Sequence, residues 1–316
     1  SRESAFLLNN VLFLGLTFVV LFGTLLPIIV EGATGERISV GAPYFNAINA
    51  PLFGALLFLM AVGPALPWGG TSWVTARERF GGPALAAVAA TMAGLLLGMR
   101  GVPQLGVLFL AVLVIGILGD ELVRGARSRS RTRGEAPPLA GWRLATRNRR
   151  RYGGYLVHAG VCLMAIAVAI SSTGAREASA TLRVGETMQL GEYRLTLRDV
   201  VVEPLPADAR VVETRATIDY GGPNSGTLAT AQRSYPNSTT PIATPGVHTF
   251  AAEDLYVTLL QADPSSGTAS IQVFLNPLVA WIWVGGFVVV LGAIFAVWPE
   301  RRRLALATAS VRAEGA

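Results

Sequence analysis

Lysine is absent from this 316-residue chain, and the residues that usually carry metal or nucleophile chemistry are scarce: one cysteine, Cys162, and two histidines, His158 and His248. Charged residues make up 15% of the chain, against the ~25% typical of soluble domains. A single cysteine excludes an intrachain disulfide framework. The chain also lacks a Walker loop, a dinucleotide fingerprint, zinc-ligand spacing and a nucleophile elbow, and no motif supports nucleic-acid binding. All 26 basic residues are arginine, which reads as a genome composition bias rather than a binding signal. The opening "SRESAFLLNN" has no initiator Met and no signal-peptide n-region, and the apolar block after it has no small-residue cleavage site; it reads as the interior of a longer protein.

What the chain has is apolar sequence. Hydrophobic residues account for 52% of it, and the mean hydropathy is +0.48. They cluster into blocks long enough to cross a bilayer, at ~20 residues each. Six spans are expected, over 5–30, 48–66, 83–98, 102–118, 152–170 and 277–298. The net charge of +6 becomes informative once it is placed along the chain. Between Val123 and Tyr152 stand ten arginines and one acidic residue, Glu135, while "RERF" at 77–80 and "ERRR" at 300–303 form the other basic edges. Six spans put these edges on one side together with Arg2. The arginine asymmetry makes that side cytoplasmic, with Arg100 as the exception. The division that follows is a four-helix membrane region over 1–122, an arginine-rich cytoplasmic loop over 123–151, a helix over 152–170, an extracytoplasmic domain over 171–276, a last helix over 277–298 and a cytoplasmic tail over 299–316. Lipid is thus a partner throughout, and anionic headgroups suit the arginine loop.

The 171–276 segment reads as strands. "ATLRVGETMQL", "GEYRLTLRDVVVE", "RVVETRATIDY", "GTLATAQRSYP", "EDLYVTLLQA" and "TASIQVFLN" show β-branched enrichment or alternation, and turns such as "GGPNSG" and "DPSSG" separate them. The fold class expected is therefore a polytopic α-helical membrane protein with an inserted all-β extracytoplasmic domain, a small antiparallel barrel or sandwich.

On a helix beginning near Tyr152, Arg151, Tyr155, His158 and Cys162 fall on one face by i+3/i+4 spacing, and His158 lies ~10 Å above Arg151. Ionisable residues at that depth usually face a bundle interior or a cavity. Three readings of His158 stand side by side. It makes an interhelical hydrogen bond; or it relays protons, although no Asp or Glu is expected deep in a span to continue the path; or it is an axial ligand to haem iron, for which imidazole is suited. In the last case Arg151 would neutralise a propionate at the water edge, and a second ligand would have to come from elsewhere. His248, in "TPGVHTF", reads as an ordinary exposed loop histidine. Cys162 reads as a small packing residue, and Asn9 and Asn10 as amides that either bind a lipid headgroup or, the favoured reading, cap and cross-link helices. Trp281 and Trp283 read as an interfacial belt.

"SRESAFLLNN", "FGTLLPIIVE", "GERISVGAPYFN", "NRRRYGGYLVHAG", "EDLYVTL" and "NPLVAWIWVGG" together resemble the CcmF family of cytochrome c maturation proteins, over its C-terminal half. In that family an earlier half carries a tryptophan-rich "WWD" segment, two periplasmic haem-ligating histidines and a membrane histidine, none of which matches anything here. The resemblance implies a haem lyase subunit that receives haem from a CcmE-like chaperone and works with a CcmH-like thiol partner to attach it to apocytochrome c. It implies a structural b-type haem besides the transient substrate haem. It carries an axial-ligand role onto His158 through "YLVHAG", with the second ligand in the N-terminal half, and no role onto His248. Arg151 and Tyr155 are the accompanying cofactor-site candidates. A relative dedicated to cytochrome c nitrite reductase would look nearly the same. A transporter with a histidine relay and a scaffold that binds partners through its outer domain are the rivals; a transporter would show inverted repeats and midplane helix breaks.

Overall fold

The computed structural model describes residues 2–65, 73–205, 208–238 and 240–299. Seven helices and nine strands run in the order α1 (Arg2–Thr34), α2 (Ala42–Ala65), α3 (Trp73–Leu96), α4 (Val102–Arg133), α5 (Pro137–Arg147), α6 (Arg149–Gly174), then β1 to β9, then α7 (Val279–Val297). All but α5 are long and apolar enough to cross a membrane. This is a multi-pass membrane protein with an inserted β domain. The described chain forms two compact units, one from Ala167 to Ile282 and the other from the helices on either side. The tail, with its "RRR", lies outside the described residues.

The helices extend past the apolar blocks that announce them. The span expected to begin at Pro83 continues back to Trp73, so that Pro83 sits inside α3. Neighbouring helices in membranes tolerate such prolines, and here Gly116 of α4 closes on it: a Cβ at Gly116 would stand 3.0 Å from the Pro83 Cβ. The larger departure is α4. Its 32 residues span about 48 Å, well beyond the ~30 Å of a hydrocarbon core. The segment expected as an arginine-rich loop is instead helical, formed by the end of α4 and by α5. Gly134, left-handed at φ 66°, closes α4, as a glycine after a helix C-terminus can at no steric cost. Glu135 then locks the turn, accepting from Arg129 Nε at 2.9 Å and from Arg143 Nη1 at 2.7 Å. The side-chain hydrogen bond from Arg129, then that from Arg143, holds its carboxyl down at about 2. Buried Ala140 seats α5, and Leu144 packs so close to Gly125 that a Cβ there would meet its Cδ2 at 2.6 Å.

Small residues bring α6 and α7 together. A Cβ on Gly160 would lie 2.7 Å from the Gly285 carbonyl oxygen, and one on Gly153 would lie 2.7 Å from the Gly292 carbonyl. Each contact repeats after seven residues on both helices, so backbone meets backbone along one stripe, a common basis for helix association in lipid. On the other side of α6, Cys162 is fully buried among Leu57, Ala61, Leu113, Val114 and Ile117, with its Sγ 4.0 Å from Met60 Sδ.

The β domain is a sandwich. One antiparallel sheet has the order β1 (Arg176–Arg183), β9 (Thr268–Pro277), β8 (Glu253–Asp263), β7 (Gly246–Thr249). The other has β2 (Thr187–Leu190), β3 (Tyr193–Leu205), β4 (Asp208–Gly221), β5 (Gly226–Ser234), β6 (Ile242–Thr244). Alternate residues of β3, β4, β8 and β9 face each other between the sheets: Leu195, Leu197, Ile218, Leu255, Val257, Leu259, Ile271 and Val273 are essentially inaccessible. The period of two in the sequence becomes the two inner faces. Strands β6 and β7 are the ones the sequence hides. Pro241 and Pro245 flank β6 and read as loop, yet proline is acceptable on edge strands, and each of these short strands is the edge of its sheet.

Candidate functional site

His158 lies half-buried on α6, within one of the spanning helices. Helix α6 starts afresh after Asn148, whose ψ of 51° breaks it from α5. This start sets the phase of everything after it. A cavity of about 640 Å³ opens beside His158, within the size range of small-molecule sites. Helix α1 contributes Phe6, Asn9 and Phe13, α2 contributes Leu56, Met60 and Gly63, and α6 contributes Arg151, Gly154, Tyr155 and His158. Arg151, Tyr155 and His158 come together as the helical spacing predicts. Cys162, one turn further on, does not reach the cavity lining and belongs to the helix core.

The histidine ring is already oriented. Its Nδ1 lies 2.5 Å from the Gly154 carbonyl oxygen, and a carbonyl only accepts, so Nδ1 carries the proton. In the neutral imidazole, Nε2 then keeps its lone pair. This is the arrangement in which a backbone carbonyl fixes the tautomer of a ligating histidine. The interhelical hydrogen bond considered for His158 is therefore, on this nitrogen, a bond within its own helix. A Cβ placed on Gly63 or on Gly154 would meet nothing within 4 Å, so backbone borders open space at two points of the lining.

At its arginine-bearing edge the cavity ends in a closed ring of hydrogen bonds. Arg151 Nε donates to the Tyr155 hydroxyl at 2.8 Å, Tyr155 donates to Glu121 Oε2 at 2.5 Å, and Arg151 Nη2 pairs with Glu121 Oε1. The guanidinium carbon also stands 5.7 Å from the Tyr155 ring centroid. Arg151 is thus not a free cation, because Glu121 already shares its charge. Reading the sequence misses Glu121, since the apolar block stops near Leu118. The signal available is that "GDELVRGARSRSRTR" contains no proline and continues a helical pattern. Asn9, read as a cap or cross-link, lines the cavity instead, while Asn10 is exposed.

The β domain holds the second histidine. His248 is not on an exposed loop; it is a half-buried residue of β7. Its ring meets Tyr220 edge-on at 5.2 Å between centroids, and Nδ1 is hydrogen-bonded to the Tyr220 hydroxyl. Trp281 donates its indole N–H to the Ala251 carbonyl at 2.9 Å, whereas Trp283 is 78% exposed. No group of three or more His, Cys, Asp or Glu side chains that could hold a metal ion occurs among the described residues.

Residues 174–277, which contain the whole sandwich, match the family described as CcmF C-terminal beta-sandwich. Along its length the chain is 30% identical to the cytochrome c-type biogenesis protein CcmF of Pseudomonas aeruginosa, over 98% of this chain and 45% of that protein. The sandwich is thus of the CcmF C-terminal type, and the whole chain is similar to the C-terminal part of CcmF proteins. The Escherichia coli CcmF is 26% identical over 96% of the chain and 44% of its own length, and the cytochrome c-type biogenesis protein NrfE of Haemophilus influenzae is 25% identical over 96% and 45%. A solved structure titled cytochrome c heme lyase CcmF superposes with a TM-score of 0.69 at 30% identity, covering 95% of this chain and 46% of that one. The chain therefore spans somewhat under half the length of the curated relatives it matches, and corresponds to their C-terminal part.

Proposed function

We propose that this chain is the C-terminal part of a haem lyase of cytochrome c maturation, and that it contributes one axial ligand, His158, to a b-type haem held among its spanning helices. The observation that carries the reading is His158 itself: an imidazole tied through Nδ1 to the Gly154 carbonyl, on a residue that lines the cavity between α1, α2 and α6. The group fits this site on chemistry and on space. Imidazole nitrogen suits iron, phenylalanine and leucine side chains suit the faces of a macrocycle, and the open positions above Gly63 and Gly154 admit close approach. When bound, such a group supplies iron redox chemistry. The chain's own part is to hold the ligand nitrogen, to exclude water with α1 and α2, and to place Arg151 and Tyr155 at the polar end. The second axial ligand belongs to the polypeptide corresponding to the rest of the relatives' length. The partners that follow are that polypeptide, a CcmE-like haem chaperone, a CcmH-like thiol protein and apocytochrome c, whose haem is the transient substrate. His248, engaged with Tyr220, is left without a ligand role.

A second reading has one observation in its favour. The Glu121–Tyr155 hydrogen bond supplies, one turn from His158, the acidic partner that a proton-relay transporter would need. Haem content separates the two. Protein purified together with the rest of its length should show a Soret band and about one retained haem; colourless, well-folded protein would favour the relay.

Sidedness follows the arginines, with α5 and the end of α4 cytoplasmic and the β domain extracytoplasmic. Ser128 and Ser225 are both exposed and suit labelling. An impermeant maleimide applied to intact cells should modify Ser225→Cys and spare Ser128→Cys; the reverse pattern would invert the topology.

A further inference from the structure

Resting on the haem reading above, we infer that Glu121 is a positioning residue for the cavity: it fixes the Arg151 guanidinium so that the remaining edge of that side chain receives a carboxylate of the bound group. The argument is one of donor counting. Arginine has five N–H donors in a rigid fork. The ring uses Nε on the Tyr155 hydroxyl and Nη2 on Glu121, and Tyr155 in turn spends its own proton on the second Glu121 oxygen. Both carboxylate oxygens and the phenol are thereby committed to each other. The ring leaves Nη1 outside itself, on a residue that lines the cavity together with Asn9.

A long arginine at a membrane edge otherwise loses side-chain entropy on binding an anion. Here that ordering is complete before a ligand arrives, which is the general route to tighter binding. Glu121 also comes from a different helix. It sits on the stretch of α4 beyond the apolar block, so the length of α4 past Leu118 serves the cavity as well as the α4–α5 turn. The ligand class this arrangement selects is a flat, largely apolar molecule bearing a carboxylate at one end.

A plain staple between α4 and α6 is the competing account, and reversing the charges distinguishes it. The experiment follows haem transfer to excess apomyoglobin from the protein purified with the rest of its length. Glu121→Ala should bind haem with the wild-type low-spin spectrum, because His158 is intact, and should lose it about tenfold faster, the scale of one charge-assisted hydrogen bond. Tyr155→Phe, a milder change that keeps the ion pair, should fall between the two and covers the case in which Glu121→Ala does not fold. The reversed pair Glu121→Arg with Arg151→Glu should restore thermal stability without restoring slow haem loss. Wild-type transfer rates in Glu121→Ala, or in the reversed pair, overturn the positioning role while leaving the haem site standing. A haem-free wild type overturns both.

Discussion

His158→Ala, in protein purified with the remainder of its length, should lose most of its b-type haem or retain it five-coordinate, with cytochrome c maturation falling in parallel. Among the described residues the ring makes one hydrogen bond, from Nδ1 to the carbonyl one turn earlier, so its removal costs the fold little: the hydrogen bond is worth about 0.5–1.5 kcal/mol. What the substitution removes is the only nitrogen lone pair of an imidazole in the cavity lining. The two effects can therefore be measured apart. Thermal stability of the helical unit should change by no more than about 2 kcal/mol, while the Soret band shifts or disappears. Imidazole added to the mutant should partly restore the low-spin spectrum, since the vacated volume lies where the ring was. Arg151→Ala serves as a graded comparison: it leaves the ligand nitrogen in place, and should weaken retention without changing spin state. A wild-type spectrum in well-expressed His158→Ala would end the ligand assignment.

Gly160→Val should be severely damaging to the fold itself. The new Cβ would stand 2.7 Å from the Gly285 carbonyl oxygen and 2.9 Å from the Val289 amide nitrogen. Both are backbone atoms of α7, so no rotamer change can relieve the overlap and the helices must separate. Overpacking of a closed interface costs about 1–3 kcal/mol, and more where the obstacle is backbone. Separation also moves the face of α6 that carries His158, two residues earlier. The expected result is a large loss of monodisperse protein on size exclusion in detergent, and loss of haem from what remains. Gly286→Ala is the matched control. Its Cβ meets nothing within 4 Å, and alanine is favoured over glycine in a helix interior by roughly 0.5–1 kcal/mol. Yields equal to wild type in Gly160→Val would mean that α6 and α7 do not pack through this stripe.

The amino-acid sequence by itself determined the features that depend on neighbours along the chain. Six apolar blocks became six spanning helices, because bilayer thickness sets a length that can be counted. Alternation over 180–205, 210–235 and 253–276 became the inner faces of a sandwich, because the strand period is local. The helical spacing of Arg151, Tyr155 and His158 placed them together, and the likeness to CcmF was legible in motifs spread from end to end. The tertiary structure alone decided whatever required two distant segments to meet. It continued α4 past the end of its apolar block and brought Glu121 to Tyr155, 34 residues away in sequence. It turned Asn9 toward the cavity, and it took His248 out of an apparent proline-flanked loop into an edge strand against Tyr220. In each case hydropathy stops being informative where a residue is polar: a charged helix end, a lone amide and a proline-bounded strand show their role only through the partner that satisfies their hydrogen bonds or covers their surface. That partner is chosen by packing, not by sequence proximity.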